Sequence, residues 1–378
     1  MTIDLLTLVM GAILLFLALL TPLLNPFFRR LRQTEEPSSS EQPPITILLV
    51  SNGDHVALDE HLPIFLTQEY APGYEVIVVT EKADMETENV LKRYSQNERL
   101  YHTFVPESSR YMSKSKLAIT LGVKAANNEW IILTDPRCKP SDSHWVEAMA
   151  HRMSSDKSMV LGYVNYSEEA KPYQRFERLH TALYLLREAQ QGRPYRTNSM
   201  NVAFRKSEFL DKQGFLEHLK FSIGEYDFLV NKYGRQGAVA VATDEETLLT
   251  ENAISSKSWQ NRQVYYHEVG KHLNGGAWLR MLRALDRWAQ ILNYFLILAA
   301  GIFAGLTHRW ILLGAAVAAL ILTVVLRSLI GGKALKEFDI HISAWKVVPL
   351  EINLLWHRVL TRMRYEYADK NDFISHKV

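Results

Sequence analysis

Carboxylates stand at the ends of three apolar runs: Asp54 after ITILLV (45–50), Glu81 and Asp84 after EVIVV (75–79), and Asp135 after WIILT (130–134). Acids placed in this way accept hydrogen bonds from ribose hydroxyls or a base edge, or hold the divalent ion that neutralises a pyrophosphate. Each one alone reads better as a solvated loop acid or a helix N-cap; recurrence after three successive runs favours a shared site. Two more acids flank a tyrosine in Glu225-Tyr226-Asp227, and a cation, Arg137, follows Asp135 by two residues. The Glu225/Asp227 pair suits the first turn of a helix whose dipole favours acids.

The elements that must position these residues follow from pattern. The three runs are continuous, rich in branched side chains and bounded by turn residues, as buried parallel strands are. Segments with helical periodicity (58–68, 87–94 and 117–126) alternate with them. The expected class is therefore α/β with a doubly wound sheet, in which ligands sit beyond the carboxyl ends of the strands.

Composition excludes several other functions. In 378 residues, 43 Lys+Arg against 41 Asp+Glu leave a formal charge of +2, too small for a general nucleic-acid field. Hydrophobic residues at 47% and charged residues at 22% exclude general disorder. A single cysteine, Cys138, excludes a disulfide scaffold and a cysteine zinc cluster. His151 and His180 show no metal-ligand spacing. There is no glycine-rich phosphate loop, His-Glu-x-x-His or Gly-x-Ser-x-Gly motif.

The apolar excess is concentrated at the two ends. Leu5–Phe28 carries no charge and is long enough for the ~20 residues of a bilayer crossing. Trp288–Thr307 and Trp310–Leu326, separated only by His308-Arg309, read as a transmembrane hairpin with tryptophans at the interface. The second run is short, and Arg327 is expected to extend it by snorkelling. Arg29, Arg30 and Arg32 follow the first span with no Lys or Arg before it, which predicts a multi-pass inner (cytoplasmic) membrane protein with its central block in the cytoplasm. In 351–364, Ile352, Leu355, Trp356, Val359, Leu360 and Met363 recur at helical spacing opposite Arg358, Arg362 and Arg364. That pattern suits a helix lying on a lipid bilayer, or one packed on the protein itself. The expected domains are an anchor (1–33), a Pro/Ser-rich linker (34–44), a central domain (45–270), an amphipathic collar (271–287), the hairpin (288–330) and a tail with an interfacial helix (331–378).

From about Ile45 to His267 the chain resembles membrane-anchored family 2 glycosyltransferases with the GT-A nucleotide-sugar fold. The resemblance rests on LPIFLTQEYAPGYEVIVV, on KSKLAITLGVKAANNEWIILTD running into Asp135, on Cys138-Lys139-Pro140 with Trp145, on NVAFRK (201–206) with Phe209, and on GEYDFL (224–229). It implies inverting transfer of a sugar from a nucleotide-sugar donor to a lipid-linked or cell-envelope glycan acceptor, alone or beside other envelope-glycan enzymes. It also implies Mg²⁺ or Mn²⁺ on an Asp-x-Asp pair. Residue by residue it places Asp54, Glu81, Asp84, Lys116, Asp135, Arg137 and Arg262 on the donor, with Asp135 the candidate metal ligand. Asn201, Trp259 and Gln260 fall on the acceptor side. Asp227 is the first candidate base and Glu225 the second.

The chain departs from the family at the motifs that matter most. Asp-x-Asp reads Asp135-Pro136-Arg137, and the position of the usual base Asp is Tyr226. An arginine cannot ligate Mg²⁺, yet it can pair bidentately with a diphosphate. Either Arg137 replaces the metal or the metal site is lost. The altered motifs also allow a second reading, a catalytically degenerate relative kept as a scaffold or regulatory subunit.

Overall fold

The computed structural model describes residues 4–31, 42–106, 113–369 and 373. Arg32 and most of the expected linker, residues 34–41, lie outside them. In chain order the elements are α1 (Leu5–Leu24), β1 (Ile45–Val50), α2 (His55–Leu66), β2 (Tyr74–Glu81), α3 (Met85–Arg93), β3 (Leu100–Val105), α4 (Lys114–Ala125), β4 (Trp130–Thr134), β5 (Cys138–Pro140) and α5 (Trp145–Ala150). They continue with β6 (Met159–Gly162), β7 (Val164–Tyr166), α6 (Pro172–Gln190), β8 (Asn201–Arg205), α7 (Lys206–Asp211), α8 (Glu225–Tyr233), β9 (Val239–Ala242), β10 (Leu249–Glu251) and α9 (Ser256–Val269). The last three are α10 (Ala277–Leu306), α11 (Trp310–Glu337) and α12 (Val347–Tyr367). The described chain forms two compact units.

The larger unit, Leu31–Gly275 with Leu360–Val378, is built on a seven-stranded mixed sheet in the order β3-β2-β1-β4-β8-β6-β9. β1 is flanked by parallel β2 and β4 and buried along its whole length. An uninterrupted Ile/Leu/Val run is what such a position needs, because both faces are covered. β8 pairs antiparallel with β4 and with β6, which makes the sheet mixed. This is the GT-A-like α/β architecture, and it puts the ends of β1, β2 and β4 along one edge.

A second, three-stranded sheet (β5-β10-β7) lies within the same unit. Its register pairs Glu251 with Cys138 on one side and with Tyr166 on the other. The amide of Asn252 also donates to the carbonyl of Arg137 at 3.1 Å. β10 is thereby tied directly to the turn that carries Asp135 and Arg137.

The smaller unit, Met1–Arg30 with Gly276–Val359, contains α1, α10, α11 and the first part of α12. The first three are long and apolar enough to cross a membrane. Small residues let them pack closely: Ala18, Ala300, Ala304, Ala316 and Ala319 are buried with Leu14, Ile297 and Leu312. Phe16, Phe295, Leu298, Ile302 and Ile321 are exposed, as lipid-facing residues are. The expected collar is no separate element, since Trp278–Leu285 lies within α10.

Arg327 does not snorkel. It is 1% exposed, and its Nε donates to Glu351 Oε2 at 2.7 Å, with Asp286 at 3.7 Å and the Thr21 carbonyl at 3.2 Å. Gln290 and Asn25 donate to the same glutamate. A carboxylate on α12 was available inside the unit, so the guanidinium had no need to reach outward.

Candidate active site

A cavity of about 310 Å³ opens where the sheet ends. Val50 closes β1 at its wall, and Leu133, Thr134, Asp135 and Arg137 come from the end of β4 and the turn after it. Glu225, Tyr226 and Asp227 enter from the start of α8, and Arg178 from α6. Arg262, Tyr265, Tyr266 and Val269 line it from α9, at a spacing that puts them on one helical face. Gly224 makes the close approach of α8 to α9 possible. Its φ is +94°, and a Cβ there would lie 2.8 Å from Val269 Cγ2.

Asp135 and Arg137 form one bidentate pair, with Nε to Oδ1 and Nη2 to Oδ2 both at 2.7 Å. Arg137 also reaches Asp54 at 3.9 Å, joining the end of β1 to the end of β4. The hydrogen bonds that Arg137 donates to Asp135 hold its guanidinium firmly in the charged form. Burial raises the Asp54 carboxyl above its ordinary range, and Arg137 only partly offsets this.

Beside Arg137 lies a second cluster, in which the predicted Arg262 meets two residues that sequence reasoning missed, Glu251 and Arg178. Glu251 is fully buried and takes two guanidinium groups: Arg178 Nη2 at 2.5 Å, and Arg262 at 2.7 and 3.0 Å. Arg178 lies 3.6 Å from the Tyr166 ring centroid, and the Tyr166 hydroxyl accepts from Arg262 at 3.0 Å. Burial pushes the Glu251 carboxyl up, but Arg178 and Arg262 outweigh it and bring it down to about 2. No local signal marks Glu251 in LLTEN or Arg178 in a long helical run, because their partnership arises from the pairing of β10 with β7 and β5.

The two candidate bases have different surroundings. Asp227 is buried, and both its oxygens accept from Arg196 at 2.8 Å; Arg196 in turn lies 3.2 Å from the Tyr266 ring centroid. Arg196 is another residue that the sequence did not mark. Among the described residues Glu225 Oε1 has no hydrogen-bond partner, and it pairs with Lys116 Nζ at 3.9 Å. Tyr226, at the usual base position, is unsuited to that role, because burial pushes its phenol well above the ordinary range.

The remaining predicted residues stand outside the lining. Lys116 is buried and donates to the carbonyls of Phe221 and Ile223 at 2.7 and 3.0 Å, anchoring the loop before Glu225. Burial lowers its pKa, against the pull of Glu225. Glu81 pairs with Lys114. Asp84 is the N-cap of α3, accepting from the Thr87 amide at 3.0 Å. Asn201 is fully buried and donates to the Thr247 carbonyl at 3.0 Å. Trp259 is 1% exposed and packs with Tyr166, Ala170 and Tyr173, so it forms wall structure and does not border the cavity; Gln260 is half-buried and not in the lining.

These residues do not fit a divalent ion. Both oxygens of Asp135 are committed to a guanidinium, and among the described residues no three His, Cys, Asp or Glu side chains converge as ligands. Where an Asp-x-Asp pair puts a second carboxylate, this chain holds a fixed positive charge.

Comparison with known proteins agrees with this architecture. No curated protein matches the sequence. Among solved structures, the chain is similar to a mannosyltransferase from Pyrobaculum calidifontis, determined with GDP-Man and Mn²⁺. That likeness has 15% identity and a TM-score of 0.51, over 87% of this chain and 99% of the other. TarS of S. aureus, determined with UDP-GlcNAc, is more distant at 12% identity and a TM-score of 0.43, over 58% and 64%. The sequence resemblance pointed to family 2, and the GT-A-like fold it implied is present. The family whose model matches, over residues 7–352, is glycosyl transferase family 21. That span takes in the whole cavity, and with it the chain belongs to glycosyl transferase family 21 and is a glycosyltransferase.

Proposed function

We propose that this enzyme transfers a sugar from a nucleotide-sugar donor to a lipid-linked or cell-envelope glycan acceptor, with inversion at the anomeric carbon. The observation that carries the reading is one cavity in which Arg137, Arg178 and Arg262 meet Glu225. The arginines bind the donor diphosphate and take over the charge neutralisation that a metal ion otherwise provides. The acceptor oxygen attacks C1 and the C1–O bond to the diphosphate breaks, its electron pair staying on the phosphate. The acceptor proton passes to the Glu225 carboxylate. Glu225 takes precedence over Asp227 here, because Asp227 is engaged on both oxygens by Arg196.

The site of action is the inner membrane, with the catalytic unit in the cytoplasm. Three apolar helices and the arginines that follow the first support this placement. The test is turnover by the detergent-purified full chain across a panel of UDP- and GDP-sugars, with membrane lipid extract as acceptor and EDTA present. Release of nucleoside diphosphate dependent on the extract is expected. No binding or turnover with any donor, with or without Mg²⁺ and Mn²⁺, sinks the reading.

A further inference from the structure

We infer that Glu251 is a positioning residue that sets the charge of the anion site: one buried carboxylate shared by two guanidinium groups leaves a single positive charge for the diphosphate to complete. The inference rests on the proposed donor site and adds a residue and a mechanism to it.

The geometry behind it is asymmetric. Arg137 has its own counter-ion in Asp135, at two 2.7 Å bonds. Among the described residues Arg178 and Arg262 share Glu251 as their one ion-pair partner, at 2.5 Å from one and at 2.7 and 3.0 Å from the other. Glu251 and Arg178 are almost wholly buried, whereas the Arg262 side chain keeps 31% of its exposure. Both arginines line the cavity; Glu251 lies behind them. Buried like charges without compensation are costly, so an incoming dianion is favoured at this place. Water screens Arg262 in the free protein, and a diphosphate replaces that water with a second partner. Burial acts against the charge of both arginines and Glu251 supports it, which is the balance a poised anion receptor needs.

Glu251 also fixes direction. Its place in β10, paired with β5 and β7, holds the two guanidinium groups beside the turn that carries Arg137. Losing its charge frees a second positive charge toward the cavity while loosening the aim of both arginines. Anion affinity and turnover should therefore move in opposite directions, which a merely structural residue would not produce.

The test is calorimetric titration of the full chain in detergent with inorganic pyrophosphate, UDP and GDP, beside donor turnover. In Glu251→Gln, pyrophosphate is expected to bind at least tenfold more tightly while kcat falls at least tenfold, with Glu251→Asp returning both toward wild type. Arg262→Gln, which leaves Arg178 and Glu251 as a neutral pair, is expected to bind pyrophosphate at least tenfold more weakly. It tests the same balance should Glu251→Gln not fold. Unchanged or weaker binding in folded Glu251→Gln, or wild-type binding in Arg262→Gln, overturns the inference. Wild-type protein that binds none of the three anions overturns the proposed donor site itself.

Discussion

Arg137 Nε and Nη2 lie 2.7 Å from the two oxygens of Asp135, so both carboxylate oxygens at the end of β4 are engaged by a guanidinium. In the proposed donor site this makes the cation covalently part of the protein. Arg137→Ala is expected to lower donor affinity about 10- to 100-fold, since a hydrogen bond to a charged group contributes ~1.5–3 kcal/mol. Wild-type turnover should be unaffected by EDTA. A strict Mg²⁺ or Mn²⁺ requirement in wild type contradicts the assignment.

Glu225 and Asp227 sit in the same helical turn and make opposite predictions. Glu225→Gln is expected to cut kcat by about 10²- to 10⁴-fold with donor affinity retained, as loss of a general base does. Asp227→Asn leaves the buried Arg196 without its anion and is expected to destabilise the fold by roughly 3–5 kcal/mol. Single-turnover rates and thermal unfolding of both variants separate the roles. Full activity in Glu225→Gln excludes it as the base.

Gly224 caps the helix that carries those two residues and packs against Val269 of α9. Gly224→Ala has to hold a φ of +94° and fit a Cβ 2.8 Å from Val269 Cγ2. A loss of about 1–3 kcal/mol in stability is expected, with a fall in kcat because Glu225 is displaced. Thermal unfolding and initial rates check it; unchanged values for both show that the loop relaxes freely.

The acid limb of stability should report Glu251. Its folded pKa, about 2, lies below the ordinary 4.5, so its contribution is fully present above pH 4.5 and is lost as pH falls through 2. The size of that contribution is about 3 kcal/mol. The gap in Tm between wild type and Glu251→Gln should therefore narrow from about pH 5 downward. A gap that stays constant to pH 2 refutes it.

Arg327 and Glu351 are expected to be coupled within the smaller unit. Removing Arg327 leaves Glu351 without its cation, and removing Glu351 leaves Arg327 with only the longer Asp286 contact of 3.7 Å among its described ion pairs, at ~3–5 kcal/mol, while replacing both by apolar residues costs less than the two single losses together. Thermal unfolding in detergent should show Arg327→Met and Glu351→Leu each destabilised and the double variant recovered. Additive losses in the double variant count against the pairing.

Much of this was legible in the chain itself. Ile45–Val50 announces a buried parallel strand because a continuous branched run has no solvent face, and the acids beyond such strands fall where ligands bind. The long apolar runs announce the three helices for the same reason of solvent preference. Glu81 and Asp84 fit the same pattern, yet one pairs with Lys114 and the other caps α3. Type and spacing do not distinguish a ligand-facing acid from one satisfied locally. Arg178, Arg196 and Glu251 carry no local signal at all. Their partners are set by pairing between strands and helices remote in sequence, as when Glu251 meets Arg178 across 73 residues. The sequence by itself determined the sheet, the apolar helices and the departure at Arg137. Only tertiary structure decided which charges neutralise one another, because in a buried site a charge is defined by its neighbours.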